Sequence, residues 1–145
     1  MEAKAKALGW DQRYAGNPDF RARFDEMYAA VEQLPPHLIE RGRSYDYPQL
    51  HRACVDGDIE LLEGLLSAGL SADAYLYTDD EDDEPPLVWL AQDQDMDPKL
   101  KVQVATLLLA KGADVDEGDP LLAAKDADDK EFADFLRASG AVELE

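Results

Sequence analysis

The residues with the most chemical potential are six consecutive acids, Asp79, Asp80, Glu81, Asp82, Asp83 and Glu84, followed directly by Pro85-Pro86. Carboxylates in that number could hold a hard cation, share protons in acid–base work, or present charge to a basic surface. A calcium loop between two helices needs alternating oxygens, a glycine at its sixth position and a glutamate at its twelfth. Counted from Asp79, those positions hold Glu84 and Leu90. Counted from Asp93, where Asp93, Asp95 and Asp97 have the right spacing, they hold Pro98 and Val104. Both counts fail. Asp97-Pro98 reads more simply as a helix start, with a side-chain acceptor at the cap and proline in the first turn. A zinc site needs roughly four nitrogen or sulfur ligands, and the chain offers His37, His51 and Cys54. That shortage also leaves no cysteine–histidine nucleophile pair, and neither a phosphate-binding glycine loop nor a nucleophile elbow occurs. The expectation is a chain that is not an enzyme, with no metal site and no cofactor.

The charge distribution points elsewhere. Thirty-three acids against fourteen bases give a net charge of −19. Residues 1–52 carry eight acids and eight bases and sum to zero, so residues 53–145, with twenty-five acids and six bases, carry all of it. Fourteen acids and no base lie between Arg52 and Lys99. Such a field repels nucleic acid and anionic membranes and attracts basic partners, although acidic surfaces also serve plain solubility. No apolar run reaches membrane-span length and the start has no secretory apolar region. A lone cysteine suits a reducing compartment. A cytoplasmic protein, monomeric when free, is expected.

The elements that position these residues repeat. Leu50–Gly69, Leu87–Gly112 and Leu121–Gly140 each hold a short alanine-bearing helix, a polar turn, a second apolar helix and a glycine. The first and third stretches have twenty residues, and the second has twenty-six, its extra residues falling around Asp93–Pro98. The closing glycine is a helix stop, because it takes positive φ without a Cβ penalty. Ahead of the repeats, residues 17–34 read as an amphipathic helix with Asn17 as its cap and Pro18 in its first turn. Phe20, Phe24, Met27, Tyr28, Val31 and Leu34 share its apolar face, and Pro35-Pro36 ends it. The segment His37–Gly42 adds a further helical turn.

In these stretches the sequence resembles the ankyrin-repeat family, whose repeats recur at about 33 residues. Starts here recur after 37 and 34 residues. The first copy matches the family pattern at Leu50, His51, Ala53, Gly57, Glu60, Leu65, Leu66 and Gly69. The second matches at Pro86, Leu87, Ala91, Leu108, Leu109, Gly112, Ala113 and Asp114, and the third at Pro120, Leu121, Ala124, Leu136, Gly140 and Ala141. Pro48 sits one residue early, Val88 replaces the histidine, and the third copy is worn, as a terminal repeat is. The resemblance implies one domain over 1–145: an all-α solenoid of helix pairs at 47–141, capped by a helical segment at 1–46. It makes His51 a framework residue, and Cys54 a buried core thiol. It also turns residues 70–85 into a finger loop, with a strand over Ala74–Thr78.

Family members meet partners through finger tips and the ends of the first helices. Carried over, the fingers are Tyr75, Tyr77 and Asp79 to Glu84, then Asp114, Asp116, Glu117 and Asp119. The helix ends are Val55, Asp56, Gln92, Asp93, Asp126 and Ala127. Trp89 either packs on a neighbouring helix or joins the contact surface. The expected function is binding a basic protein; among small acidic members of the family this looks like a bacterial immunity protein or antitoxin that covers a toxin's basic site. The alternative is an adaptor or scaffold subunit.

Overall fold

The computed structural model describes residues 2–75 and 84–142. Its regular elements are all helical: α1 Glu2–Ala7, α2 Asp11–Gly16, α3 Pro18–Glu32, α4 Pro36–Ser44, α5 Gln49–Asp56, α6 Ile59–Ser67, α7 Pro86–Gln92, α8 Pro98–Ala110, α9 Pro120–Asp126 and α10 Lys130–Ala138. No strand occurs among the described residues. Ala74 and Tyr75, the described part of the expected strand, are irregular, and 76–78 lie outside the described residues.

The N-terminal segment holds more helix than the expected one. Asn17 does cap α3, its Oδ1 accepting from the backbone N–H groups of Asp19 and Phe20, both at 3.1 Å. Phe20, Phe24, Met27, Tyr28 and Val31 are buried. Two six-residue helices precede α3, and α4, in place of the one further helical turn expected, runs to nine residues, so residues 2–46 hold four helices. Helices α1 and α2 are too short to hold themselves in water and too short to show a periodicity. They form on an aromatic cluster centred on buried Tyr47, whose ring lies 5.7 Å from Trp10, 5.3 Å from Phe20 and 4.9 Å from Phe24. Tyr47 stands just ahead of α5, so these contacts join the N-terminal segment to the helices that follow.

Beyond Tyr47 the helices come in pairs, α5 with α6, α7 with α8 and α9 with α10. The first helices touch in the order α5, α7, α9, while α8 lies against α10 and α4 against α6. Small buried residues, Ala53, Cys54, Ala91 and Ala124, sit in the first helices, where little side-chain bulk separates them from their neighbours. Burial holds the Cys54 thiol well above its ordinary pKa, in the protonated, unreactive form.

Acids do structural work in this frame. Asp58, Asp97 and Asp129 each start a second helix, accepting from the N–H groups of Leu61, Leu100 and Phe132 at 3.2, 3.1 and 3.0 Å. Each of those helices ends on a left-handed glycine, with φ of 111° at Gly69, 102° at Gly112 and 104° at Gly140. The next residue then bonds five residues back: Leu70 to Leu65 at 3.4 Å, Ala113 to Leu108 at 3.0 Å and Ala141 to Leu136 at 2.9 Å. One buried cation ties the last two pairs together. Lys101, 2% exposed, donates to the Asp93 carbonyl at 2.6 Å and to Asp129 Oδ2 at 2.7 Å. Partial burial raises the Asp129 pKa, but Lys101 and the Phe132 N–H outweigh it and leave it lowered.

Two outcomes test this frame. A Cβ added at Gly69 or Gly112 would meet nothing within 4 Å, so Gly69→Ala and Gly112→Ala carry only backbone strain. Each should cost about 1 kcal/mol, read as a lower urea midpoint with unchanged slope. Lys101→Ala strands the partners of a buried cation and should cost about 3 kcal/mol. Exposed Lys99→Ala should stay within about 0.5 kcal/mol of wild type.

Candidate functional site

The loops before α7 and α9 lie side by side. The backbone N–H of Asp114 donates to Asp73 Oδ2 at 2.8 Å, and the Tyr75 hydroxyl donates to Glu117 Oε2. Asp114 Oδ1 accepts from the Asp116 N–H at 2.9 Å, which holds the second loop's own turn. Asp116 Oδ1 accepts from the Val142 N–H at 2.9 Å, bringing the segment after α10 alongside. Asp119, in the left-handed region at φ 59°, caps α9 by accepting from the Leu122 N–H at 3.3 Å. Three consecutive connecting segments therefore share one edge, and carboxylates make the links.

Among the described residues no lysine or arginine pairs with Asp73, Asp114, Asp116, Glu117 or Asp119. Burial first, and then the nearby charges of Glu117 and Asp114, raise the Asp73 pKa against the lowering pull of the Asp114 N–H. The N-terminal half differs: Arg41 pairs with Asp58 at 3.0 Å and Glu60 at 2.6 Å, and Arg43 with Glu32 at 2.7 Å and Glu40 at 3.0 Å. These pairs, two of which reach from Arg41 into the acidic part of the chain at Asp58 and Glu60, lie away from the loop edge, as do Lys101–Asp129 and Arg137–Asp134.

His51 fixes the first loop to the first helix pair. Fully buried, it donates from Nε2 to the Glu84 carbonyl at 2.9 Å, which makes it a framework residue and sets the tautomer. Its ring meets Trp89 edge-on at 4.9 Å. Trp89 and Tyr75 are both half-buried, so each is partly committed to internal contacts. Glu84 is half-buried too, whereas Tyr77 and Asp79, Asp80, Glu81, Asp82 and Asp83 lie outside the described residues.

The helix-end residues form a separate row. Asp56, Gln92 and Asp126 are the last residues of α5, α7 and α9, and all three are exposed. Val55 and Asp93 are half-buried, and Asp93 Oδ1 accepts from the N–H groups of Asp95 and Met96 at 2.8 and 2.9 Å. With Asp97 capping α8, the Asp93–Asp97 acids serve the turn. The loops feed the start of each first helix and this row sits at its end, about 10 Å apart for a seven-residue helix. Between α4 and α6 a cleft of about 750 Å³ is lined by Pro35, His37, Leu38, Glu60, Glu63 and Ser67. Its His37–Glu60 contact, 3.1 Å, involves a carboxylate already held by Arg41. Among the described residues no group of three or more histidine, cysteine or acidic side chains is arranged to hold a metal, and no helix is long and apolar enough to cross a membrane.

Sequence reasoning passed over Asp73, Leu122 and Val142. Asp73 gives no signal, since one acid among thirty-three cannot announce a loop-to-loop bond. Leu122 did carry one, because it occupies in the third copy the position of His51 and Val88. Comparison with family models finds no match for the chain, and comparisons with curated proteins and with solved structures find none either.

The His51 geometry sets a pH dependence. Burial pushes its pKa down to about 4, against the raising effect of the Glu84 carbonyl. The unfolded chain, with an ordinary value near 6.5, binds the proton first. The histidine's contribution is therefore complete above about pH 6.5 and is lost as pH falls towards 4, a swing of about 3 kcal/mol. Urea midpoints measured at pH 7 and pH 4.5 should fall further for wild type than for His51→Gln, which has no proton to take up.

Proposed function

We propose that this chain is a non-enzymatic repeat protein of ankyrin type whose acidic edge takes a basic protein partner. The specific role we assign is that of an immunity protein or antitoxin, acting in the cytoplasm by covering a toxin's basic site. One observation carries the reading: the loops at 70–75 and 113–119 are held against each other by Asp73–Asp114 and Tyr75–Glu117, within the part of the chain that carries the whole −19. Support for the repeat type comes from three helix pairs closed by equivalent left-handed glycines, and from the His51 bond to Glu84 in the next copy's loop.

The physics favours fast encounter. Carboxylates fixed on one edge, with few bases to cancel them, steer a cationic partner and raise the association rate by about tenfold or more at low salt. The field decays over about 8 Å at physiological ionic strength, so affinity still depends on contact. The partner is found by pull-down at low salt with mass spectrometry. A basic enzyme that loses activity on binding supports the toxin reading, and recovery of a multi-protein assembly supports an adaptor instead.

Once a partner is in hand, Asp79–Glu84 changed to Asn and Gln, together with Glu117→Gln, should leave the melting temperature nearly unchanged and slow association about tenfold. Added salt should bring wild type down to the variant's rate. Equal rates at low salt, measured by stopped flow, would sink the docking role and leave these acids as solvated surface.

A further inference from the structure

One position in the three first helices is treated differently at each copy. His51, one residue into the apolar start of α5, is covered by the next loop through its bond to the Glu84 carbonyl. Val88 holds the same position in α7 and is 2% exposed. The next loop covers it at Gly118, the counterpart of Glu84, where the approach is so close that an added Cβ would lie 2.9 Å from Val88 Cγ2 and 2.9 Å from Pro85. Leu122 is the third member, in α9, and no described segment passes over it. It is 50% exposed. The other large hydrophobic that stands out in solvent among the described residues, Val142 at 57%, is tied to the same loop. Val142 N–H bonds Asp116 Oδ1, Asp119 N–H bonds the Asp116 carbonyl at 3.0 Å, and Leu122 N–H bonds Asp119 Oδ1.

The corner thus links two exposed apolar residues through backbone bonds to Asp116 and Asp119, with Glu117 between those acids in the same loop. We propose that Leu122 and Val142 are the apolar anchor of the acidic edge, and that they are covered in the complex by a basic segment of the partner carrying an aliphatic side chain. That segment takes over Leu122 the place that loop backbone takes over His51 and Val88. The inference rests on the docking role proposed above and adds its contact point. Charge decides the occupant. Pairing this corner with the same corner of a second copy would press three acids against their own counterparts, whereas lysines flanking an aliphatic group answer both features. Of the aromatics the sequence offers for contact, Tyr75 and Trp89 are half-buried against Glu117 and His51 and Tyr77 lies outside the described residues, so the aliphatic pair is the more exposed apolar surface among the described residues.

The test uses the full chain and two labelled peptides of equal lysine content, one with serine at its central spacers and one with leucine there. Fluorescence anisotropy at low salt should show the leucine peptide binding wild type about tenfold tighter than the serine peptide. In the Leu122→Ser/Val142→Ser double variant that preference should vanish, while serine-peptide affinity and its salt dependence stay as in wild type. Both substitutions are at exposed sites, and an unchanged thermal melt confirms the fold. A leucine preference that survives in the double variant, or that is missing from wild type, overturns the anchor and leaves the acidic edge standing. If neither peptide binds wild type, the docking role fails and the anchor with it. Sedimentation showing wild type self-associated and the double variant monomeric would assign the corner to a second copy and also overturn the proposal.

Discussion

Helices of seven or eight residues do not persist alone in water, because nucleation costs more than so few hydrogen bonds return. Helices α5, α7 and α9 have eight, seven and seven residues. They exist because each is packed on the next and backed by its own second helix. That mutual dependence sets the rest of the molecule. Each pair must be closed so that the chain turns towards the next pair, and the left-handed glycines with their five-residue-back hydrogen bonds provide this at Gly69, Gly112 and Gly140. Each second helix must also have a defined start, which Asp58, Asp97 and Asp129 secure.

The same requirement explains how a chain this acidic holds a compact frame. Many of its carboxylates accept backbone N–H groups, which lowers the cost of keeping them charged. Asp58 and Asp129 serve twice, as caps and as the anions for Arg41 and Lys101. Asp73, Asp114, Asp116 and Asp119 of the loop edge have hydrogen-bond donors and, among the described residues, no paired lysine or arginine. Structural use has absorbed their bonding capacity in part and left their charge, which is the combination a steering surface needs.

Much of this frame was legible in the sequence, wherever a local rule acts alone. Asn17-Pro18 and Asp97-Pro98 announce helix starts, the glycine of each copy announces a stop, and the phase of the copies places His51, Gly69 and Gly112 in advance. What escaped depends on contacts distant along the chain. Helices α1 and α2 form on rings from α3 and Tyr47, the Tyr75–Glu117 bond spans 42 positions, and Lys101 gains its buried role from Asp93, Asp129 and the ring of Phe132. Trp89 shows the limit of residue-type reasoning. Its indole suits an interface as well as a core, and the ring it meets, His51, lies in the preceding copy.

A stacked array also makes equivalent residues into experiments on one another. At the position shared by His51, Val88 and Leu122, the side chain changes as its cover changes. Where a carbonyl lies above, a donor faces it; where a glycine backbone presses close, a β-branched apolar residue fills the gap. Leucine at the third member is matched to neither. It is too large for the glycine-tight space and has no group to offer a carbonyl, yet it has the reach and apolar area to enter a pocket on another surface. With Asp119 capping its helix and Asp116 binding the segment that bears Val142, the acids that hold this corner in shape are also the ones that surround it with negative charge. On the proposed role, the backbone bonds made by Asp116 and Asp119 serve the fold while their charge serves the partner.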